Sequence, residues 1–181
     1  YTKVDNYYGV ISVGFVSNKS PWRIARGCWH VASLDALPAN ANVTKVRVKY
    51  NIPVGGAGGA NFLMCWRPYN NDGQGLPCDD TGETFFDRCA TGTVYVEDSG
   101  PRTEGEKWVT LGDGESAQAC IDVENAKQAV NRFSLGMQEK NDDDLSCDIS
   151  MIGARLEITY ELPVVAGYSY GDGLVCVQVA G

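Results

Sequence analysis

The chain contains a single histidine, His30, which nothing in the sequence places beside a nucleophile and a carboxylate. A Ser–His–Asp type of catalytic site needs all three groups together. A zinc site built from cysteine and histidine needs closely spaced pairs such as CxxC. The seven cysteines are scattered along the chain, and none forms this pair. The sequence therefore predicts that the protein is not an enzyme, with His30 packed in the fold or lying at its surface.

Clustered acidic residues predict a candidate site for calcium. Asp142, Asp143 and Asp144 follow one another in a turn, and Asp148 lies shortly after them. Calcium takes six to eight oxygen ligands, and closely spaced carboxylates supply several. Rival loops occur at 70–73 and at Asp79 and Asp80, and none has EF-hand spacing. The alternative is a solvated, charged turn that binds no ion. Calcium is therefore a possible ligand, and the sequence predicts no cofactor that the protein requires.

Aromatic residues predict a second kind of site, a platform on which sugar rings stack. Trp66 and Tyr69 border a long irregular loop predicted over 68–92, where such a platform could lie. Trp22 and Trp108 are further candidates of the same type. Because Trp and Tyr also serve in sandwich cores and at their rims, burial of these rings is the alternative.

The cysteines predict disulfides and an oxidising compartment. Cys78 and Cys89 lie in the same flexible loop, so a bridge between them is expected, and it would stabilise the fold by about 2–3 kcal/mol. At least one further bridge is expected among four others: Cys28, Cys65, Cys120 and Cys147. Cys176 is the one left over, either as a buried thiol or bonded to another chain. Two sequons, at Asn18 and Asn42, predict glycosylation and agree with an extracellular or cell-surface location.

Charge and hydropathy exclude two classes of partner. The chain carries 15 basic and 23 acidic residues, a net charge of −8, which argues against nucleic acids and anionic membrane surfaces. No apolar run approaches the roughly 20 residues of a membrane span. The chain begins at Tyr1 rather than Met, which fits a removed signal peptide.

Period-two alternation predicts an all-β fold. Val43, Val46, Val48 and Tyr50 give one apolar face, opposed by basic residues on the other. Strands are predicted at 9–16, 23–32, 43–52, 61–67, 92–97, 107–111, 118–122, 132–138 and 149–162. The only convincing helical stretch is 124–130. We therefore predict a jelly-roll β-sandwich of two antiparallel sheets, with one short helix and a strand-like C-terminal tail.

Residues 22–160 resemble secreted jelly-roll modules of the DNRLRE type and related carbohydrate-binding modules. The resemblance lies in Arg26-Gly27-Cys28, in the segment from Leu34 through the Leu37-Pro38-Ala39 turn to Val43, and in the closing strand from Ala154 to Tyr160. It implies an extracellular, non-catalytic module that adheres, binds sugar or builds surface structures.

The C-terminal tail predicts how such a module would assemble. Residues 1–162 are expected to form the sandwich domain, and 163–181 a connector followed by a strand. The apolar residues of this strand are the predicted subunit interface: Leu174, Val175, Cys176, Val177 and Val179. Left in water the strand would aggregate, so it must be covered. We favour insertion into a neighbouring copy, with docking on its own sheet or on other surfaces as alternatives.

Two functions follow as hypotheses. The first is a structural subunit of an extracellular filament or surface assembly, whose partners are copies of itself. The alternative is a non-catalytic carbohydrate-binding or adhesion module, whose partners are glycans.

Overall fold

A computed structural model describes residues 10–16, 23–31, 33–55, 63–80, 82–99, 103–140, 148–163 and 173–178. The strands in chain order are β1 (Val10–Val16), β2 (Arg23–Ala25), β3 (Gly27–Val31), β4 (Asn42–Ile52), β5 (Met64–Pro68), β6 (Val96–Asp98), β7 (Gly105–Asp113), β8 (Phe133–Glu139), β9 (Asp148–Glu161) and β10 (Gly173–Gln178). The helices are α1 (Gly82–Arg88) and α2 (Gln118–Ala129), with 3-10 turns at Tyr69–Asn71 and Pro77–Asp79.

These strands form two antiparallel sheets, which confirms the predicted all-β class. The first sheet has the order β2-β1-β9-β4-β7, with β10 paired to β9 as its sixth strand. The second sheet has the order β3-β8-β5-β6. Four of the pairings are nested in sequence, β1 with β9, β3 with β8, β4 with β7 and β5 with β6. The described chain is therefore arranged as a long hairpin divided between two sheets.

β4 shows how sequence alternation becomes a buried face. Val43, Val46, Val48 and Tyr50 are buried, as predicted, while Lys49 and the other basic residues of the strand lie on the solvent side. Val43 and Val46 are three residues apart, which strict alternation would place on opposite faces. The pairing with β9 shifts register between Val43 and Lys45, and this bulge returns both valines to the core.

The core between the sheets is built largely from β4, β5, β8 and β9. Ala154, Leu156 and Ile158 are buried along β9, while Arg155 between them is exposed, as the alternation predicted. The rings of Trp29, Tyr50 and Trp66 pack together in this core. Their centroids lie 5.2 Å apart for the two tryptophans and 5.7 Å for each contact with Tyr50.

Helix α2 corrects the prediction of a strand at 118–122, and it begins earlier than the predicted helix. Ala119, Val123 and Ala126 are buried at helical spacing, and the adjacent Cys120 is buried as well. Two consecutive buried residues fit a broad helical face better than one side of a strand. The helix packs on β4 and β7, and the Glu124 carboxylate accepts a 2.5 Å hydrogen bond from the Val43 N–H.

The long loop predicted over 68–92 contains α1 and both 3-10 turns, which the sequence did not predict. It covers the outer face of the second sheet, so every residue of β8 is buried, including Ser134 and Gln138. A Cβ added at Gly136 of β8 would collide with the backbone of Cys89. The loop therefore lies directly against this sheet.

The predicted strand at 23–32 is two strands in different sheets. β2 pairs with β1 in the first sheet, whereas β3 pairs with β8 in the second. The chain crosses between them at Arg26, whose guanidinium donates to the Phe86 carbonyl at 3.0 Å and stacks on the Phe86 ring.

Candidate functional site

The outer edge of β9 is the strongest candidate for a functional surface. One side of β9 is paired with β4 from Ile152 to Glu161. The other side is divided: Asp148–Ile152 pair with β1, and Arg155–Tyr160 pair with β10. Two strands from opposite ends of the chain therefore lie one after the other along a single edge.

The division between the two partners falls at Gly153. This glycine has φ of +64°, a conformation that favours glycine, and it is exposed. On one side of it Ile152 is paired with Val10, and on the other side Arg155 is paired with Gln178. The start of β1 and the end of β10 thus meet at this break in the edge.

Four of the five predicted interface residues lie in β10. Leu174, Val175, Cys176 and Val177 are paired in register with Thr159, Ile158, Glu157 and Leu156, in that order. Directly opposed residues share a face of the sheet, so Val175 and Val177 occupy the register positions of the buried Ile158 and Leu156. Val179 lies outside the described residues.

The predicted sugar platform at Trp66 and Tyr69 is wrong. Both side chains have no exposed surface, so neither ring face can stack on a sugar. Trp66 belongs to the aromatic cluster between the sheets. Tyr69 lies in the loop over 68–92, called the covering loop below, and its ring centroid is 5.9 Å from that of Phe85. Core packing, the alternative reading, accounts for both residues.

Tyr69 belongs to a polar network inside the covering loop. Its hydroxyl donates to the Asp80 carboxylate at 2.6 Å, and the Arg88 guanidinium donates to both oxygens of the same carboxylate at 2.6 Å. Burial, together with the hydrogen bond to Asp80, raises the pKa of Tyr69. A phenol that stays protonated in this way is a structural donor.

The solvent face of the first sheet carries a tryptophan among paired charges. Trp108 of β7 is 44% exposed, and the Arg47 guanidinium carbon lies 4.5 Å from its ring centroid. The Trp108 indole N–H donates to Glu106 at 3.1 Å, and Glu106 pairs with Lys49 at 2.5 Å. Arg47 also pairs with Glu157 of β9. The Lys49 ammonium also lies 5.3 Å from the ring centroid, so the exposed ring is surrounded by charged side chains.

His30 of β3 forms a hydrogen bond with the buried Ser134 of β8. Its Nδ1 is 2.8 Å from the Ser134 hydroxyl, which itself donates to the Gly75 carbonyl at 2.9 Å. A serine hydroxyl has only one proton to donate, so Nδ1–H is the donor in the first bond. Burial, with a smaller contribution from Arg132, lowers the pKa of His30.

The four cysteines whose side chains the structure describes are buried thiols. Cys28, Cys65, Cys89 and Cys120 are all free in the structure, so it contains no Cys78–Cys89 bridge. The side chain of Cys78 and the whole of Cys147 lie outside the description. Pairing of Cys78 with Cys89 stays a prediction for peptide mapping to decide.

The remaining predicted sites fall mostly outside the described residues. Asp142, Asp143 and Asp144 are among these, and Asp148 is described only as the first residue of β9. No group of three or more potential metal ligands occurs among the residues that the structure describes. Asn18 is likewise outside, whereas Asn42 is exposed at the start of β4. Calcium binding and glycosylation both remain predictions.

None of the helices in the described ranges has the length and apolarity needed to cross a bilayer. Comparison with protein-family models, with curated proteins and with solved structures finds no match.

Proposed function

We propose that this chain is a structural subunit of an extracellular filament or surface assembly, and that subunits are joined by strand addition at the outer edge of β9. The observation that carries the proposal is the placement of β10. It is the last described strand, and it supplies backbone partners to Arg155–Tyr160, a part of the edge that β1 does not reach.

Backbone pairing supports an exchangeable strand. Without β10, residues 155–160 of β9 would present one row of unpaired N–H and C=O groups beside apolar core residues. Exposed edges of this kind are templates for strands from other chains. A strand from a neighbouring copy would make the same ladder as β10, because strand addition depends mainly on main-chain hydrogen bonds.

The connection between β9 and β10 also supports exchange. The register pair Tyr160 and Gly173 is joined by residues 161–172, whereas hairpin loops between adjacent strands usually have two to five residues. A connection of this length reaches about 40 Å when extended. It is long enough to place β10 on the same subunit or on the next one.

The nested pairing of strands leads us to infer that the two sheets form a jelly roll. When a long hairpin of eight strands rolls up, its strand pairs, taken in order from the outermost to the innermost, fall alternately in one sheet and the other. Here β1–β9 and β4–β7 lie in the first sheet, and β3–β8 and β5–β6 in the second. The additional pairings β9–β4 and β8–β5 are the contacts that rolling creates.

Deletion of β10 tests the assembly. The full chain should form fibres visible by electron microscopy, and a variant lacking 173–181 should remain a soluble monomer. A synthetic peptide of 173–181 should raise the Tm of that monomer, because it restores the missing ladder. Fibres formed normally by the deletion variant, or a full chain that stays monomeric at every concentration, would contradict the proposal.

Engineered cysteines separate exchange between subunits from docking within one. Arg155 and Gln178 are opposed in the register, so the pair R155C and Q178C, in a Cys176→Ser background, should form a bridge across β9 and β10. Insertion into a neighbour predicts a ladder of covalent oligomers on a non-reducing gel. A cross-linked monomer alone would show that β10 docks on its own subunit. The single variants R155C and Q178C are the matched controls.

A second candidate function, glycan binding, is favoured by one observation, the exposed Trp108. We infer that it could stack on a sugar, while Glu106, Lys49 and Glu157 supply hydrogen bonds. Quenching or enhancement of tryptophan fluorescence by a bound glycan should disappear in W108A. An array of glycans without binding at millimolar concentration would remove this candidate.

A further inference from the structure

Two cysteines lie together beneath the covering loop. Cys28 is on β3, and Cys89 directly follows α1. They belong to one buried cluster with Tyr69, and Phe85 packs against its edge. Cys28 is 1% exposed and Cys89 is not exposed at all, so the cluster is closed to solvent.

Gly136 of β8 is a close neighbour of both cysteines, so their separation can be derived from its position. Cys28 is the direct register partner of Gly136, and such partners have Cα atoms about 4.5–5.5 Å apart. A Cβ added at Gly136 would lie 3.0 Å from the Cys89 Cα, which places the two Cα atoms within about 4.5 Å of each other.

The direction of the Gly136 Cα–Cβ bond places Cys89 on the same side of the sheet as Cys28. Directly opposed residues of a ladder project to one face, so the Cys28 side chain lies on the face that Cys89 covers. With Cys89 above Gly136 and Cys28 beside it, at a right angle, these two lengths give a Cα–Cα separation of about 6–7 Å. This is within the upper part of the range that disulfides span.

We propose that Cys28 and Cys89 form a disulfide that fastens the covering loop to the second sheet. Both are free thiols in this structure, so the bridge would form by their oxidation. It does not depend on the proposed assembly, because both residues lie away from the β9 edge.

The bond forms by exchange with a small-molecule disulfide, such as oxidised glutathione. One cysteine thiolate attacks it and releases one reduced thiol. The second cysteine thiolate then attacks the mixed disulfide, forming the Cys28–Cys89 bond and releasing the second reduced thiol. The two protein thiols lose two protons and two electrons, and the electrons reduce the external disulfide.

Burial determines when this exchange occurs. It raises the pKa of both thiols, and the Asp80 carboxylate contributes to the same effect. Thiolates are therefore scarce once the loop has closed, and no reagent reaches them. The bridge accordingly forms while the chain folds, and once formed it is protected from reductants.

Peptide mapping tests the pairing directly. The full chain is denatured, reduced, refolded in a mixture of reduced and oxidised glutathione, alkylated and digested with trypsin. Cleavage after arginine and lysine gives Cys28 on the peptide 27–45 and Cys89 on the peptide 89–102, while Cys65 and Cys78 share 50–88. We expect 27–45 linked to 89–102. A link from 89–102 to 50–88, or alkylated thiols on both peptides, would overturn the proposal.

Variants provide a second, independent readout. Wild-type protein refolded in the glutathione mixture should have a Tm about 5–15 °C above that of protein refolded in reductant. This difference should be smaller in C28A, in C89A and in the double variant, and by the same amount in all three. C120A, which removes another buried thiol, should keep the wild-type difference. If C28A and C89A retain the difference shown by C120A, the bridge does not exist.

Discussion

His30 is half-buried on β3, where its Nδ1–H donates to Ser134. Because its pKa is lowered in the folded state, the folded protein binds fewer protons than the unfolded chain just below pH 6.5. The contribution of the neutral His30 ring to the free energy of unfolding is fully present above the pKa that this histidine has in the unfolded chain. It is lost as the pH falls from 6.5 through the folded pKa.

We therefore expect the NMR resonances of this single histidine to titrate with a midpoint below 6.5. Urea unfolding between pH 7 and pH 5 should show a larger loss of stability in the wild type than in His30→Asn, whose amide can also donate to Ser134. A midpoint at or above 6.5 would show that the ring is not constrained to its neutral form.

The burial of individual residues was only partly predictable from the sequence. Alternation correctly predicted that Val48 and Leu156 are buried, because a strand covered on one face has only two sides. It could not distinguish the buried Trp66 from the exposed Trp108. Both tryptophans lie on strands, and the difference arises because Trp66 lies between two sheets while Trp108 faces solvent.

Within the covering loop, which includes helix α1, the Asp80 carboxylate holds Tyr69 and Arg88 together. The carboxylate accepts hydrogen bonds from both Tyr69 and Arg88, and the Asp80 side chain is only 8% exposed. Replacing Asp80 with Ala would leave the buried Tyr69 hydroxyl without its acceptor, which typically costs about 1–3 kcal/mol. We expect D80A to lower the free energy of unfolding by this amount in urea titrations.

The matched control for D80A is Glu83→Ala, which removes an exposed acid on α1 and should change stability by less than about 0.5 kcal/mol. The double variant Y69F with D80A should be less destabilised than the sum of the single variants, since both partners of the buried bond are then gone. Strict additivity would mean that the hydroxyl–carboxylate bond contributes nothing.

At the level of elements, the strands were predictable and the helices largely were not. β4 and β9 are long and alternate, so their period reveals them. The sequence wrongly predicts a strand in the first half of α2, because Gln118 to Asp122 is too short a stretch to show a helical period. α1 has no buried residue among its seven, so no apolar pattern predicts it.

For the molecule as a whole, alternation shows which face of a strand is buried, but not which strand lies beside it. The sequence therefore predicted two antiparallel sheets, while the pairing of β1 with β9 came only from the structure. The cover over the second sheet was equally unpredictable. It depends on Gly136 leaving room for the Cys89 backbone, a contact between residues distant in sequence.

The net charge of −8 predicts how the proposed assembly responds to salt. Copies of an acidic chain repel one another at long range, whereas the ladder between β10 and β9 is made of backbone hydrogen bonds, which salt does not weaken. The Debye length falls from about 30 Å at 0.01 M to about 8 Å at 0.15 M ionic strength. Fibre growth followed by light scattering should therefore be faster at 0.15 M than at 0.01 M.

The variant lacking 173–181 is the control for this measurement, since it should give no growth at either ionic strength. Growth of that variant at high salt would indicate non-specific association of the sandwich surfaces. Growth of the full chain that slows as salt is added would mean that attraction between opposite charges, rather than strand addition against a repulsive background, joins the subunits.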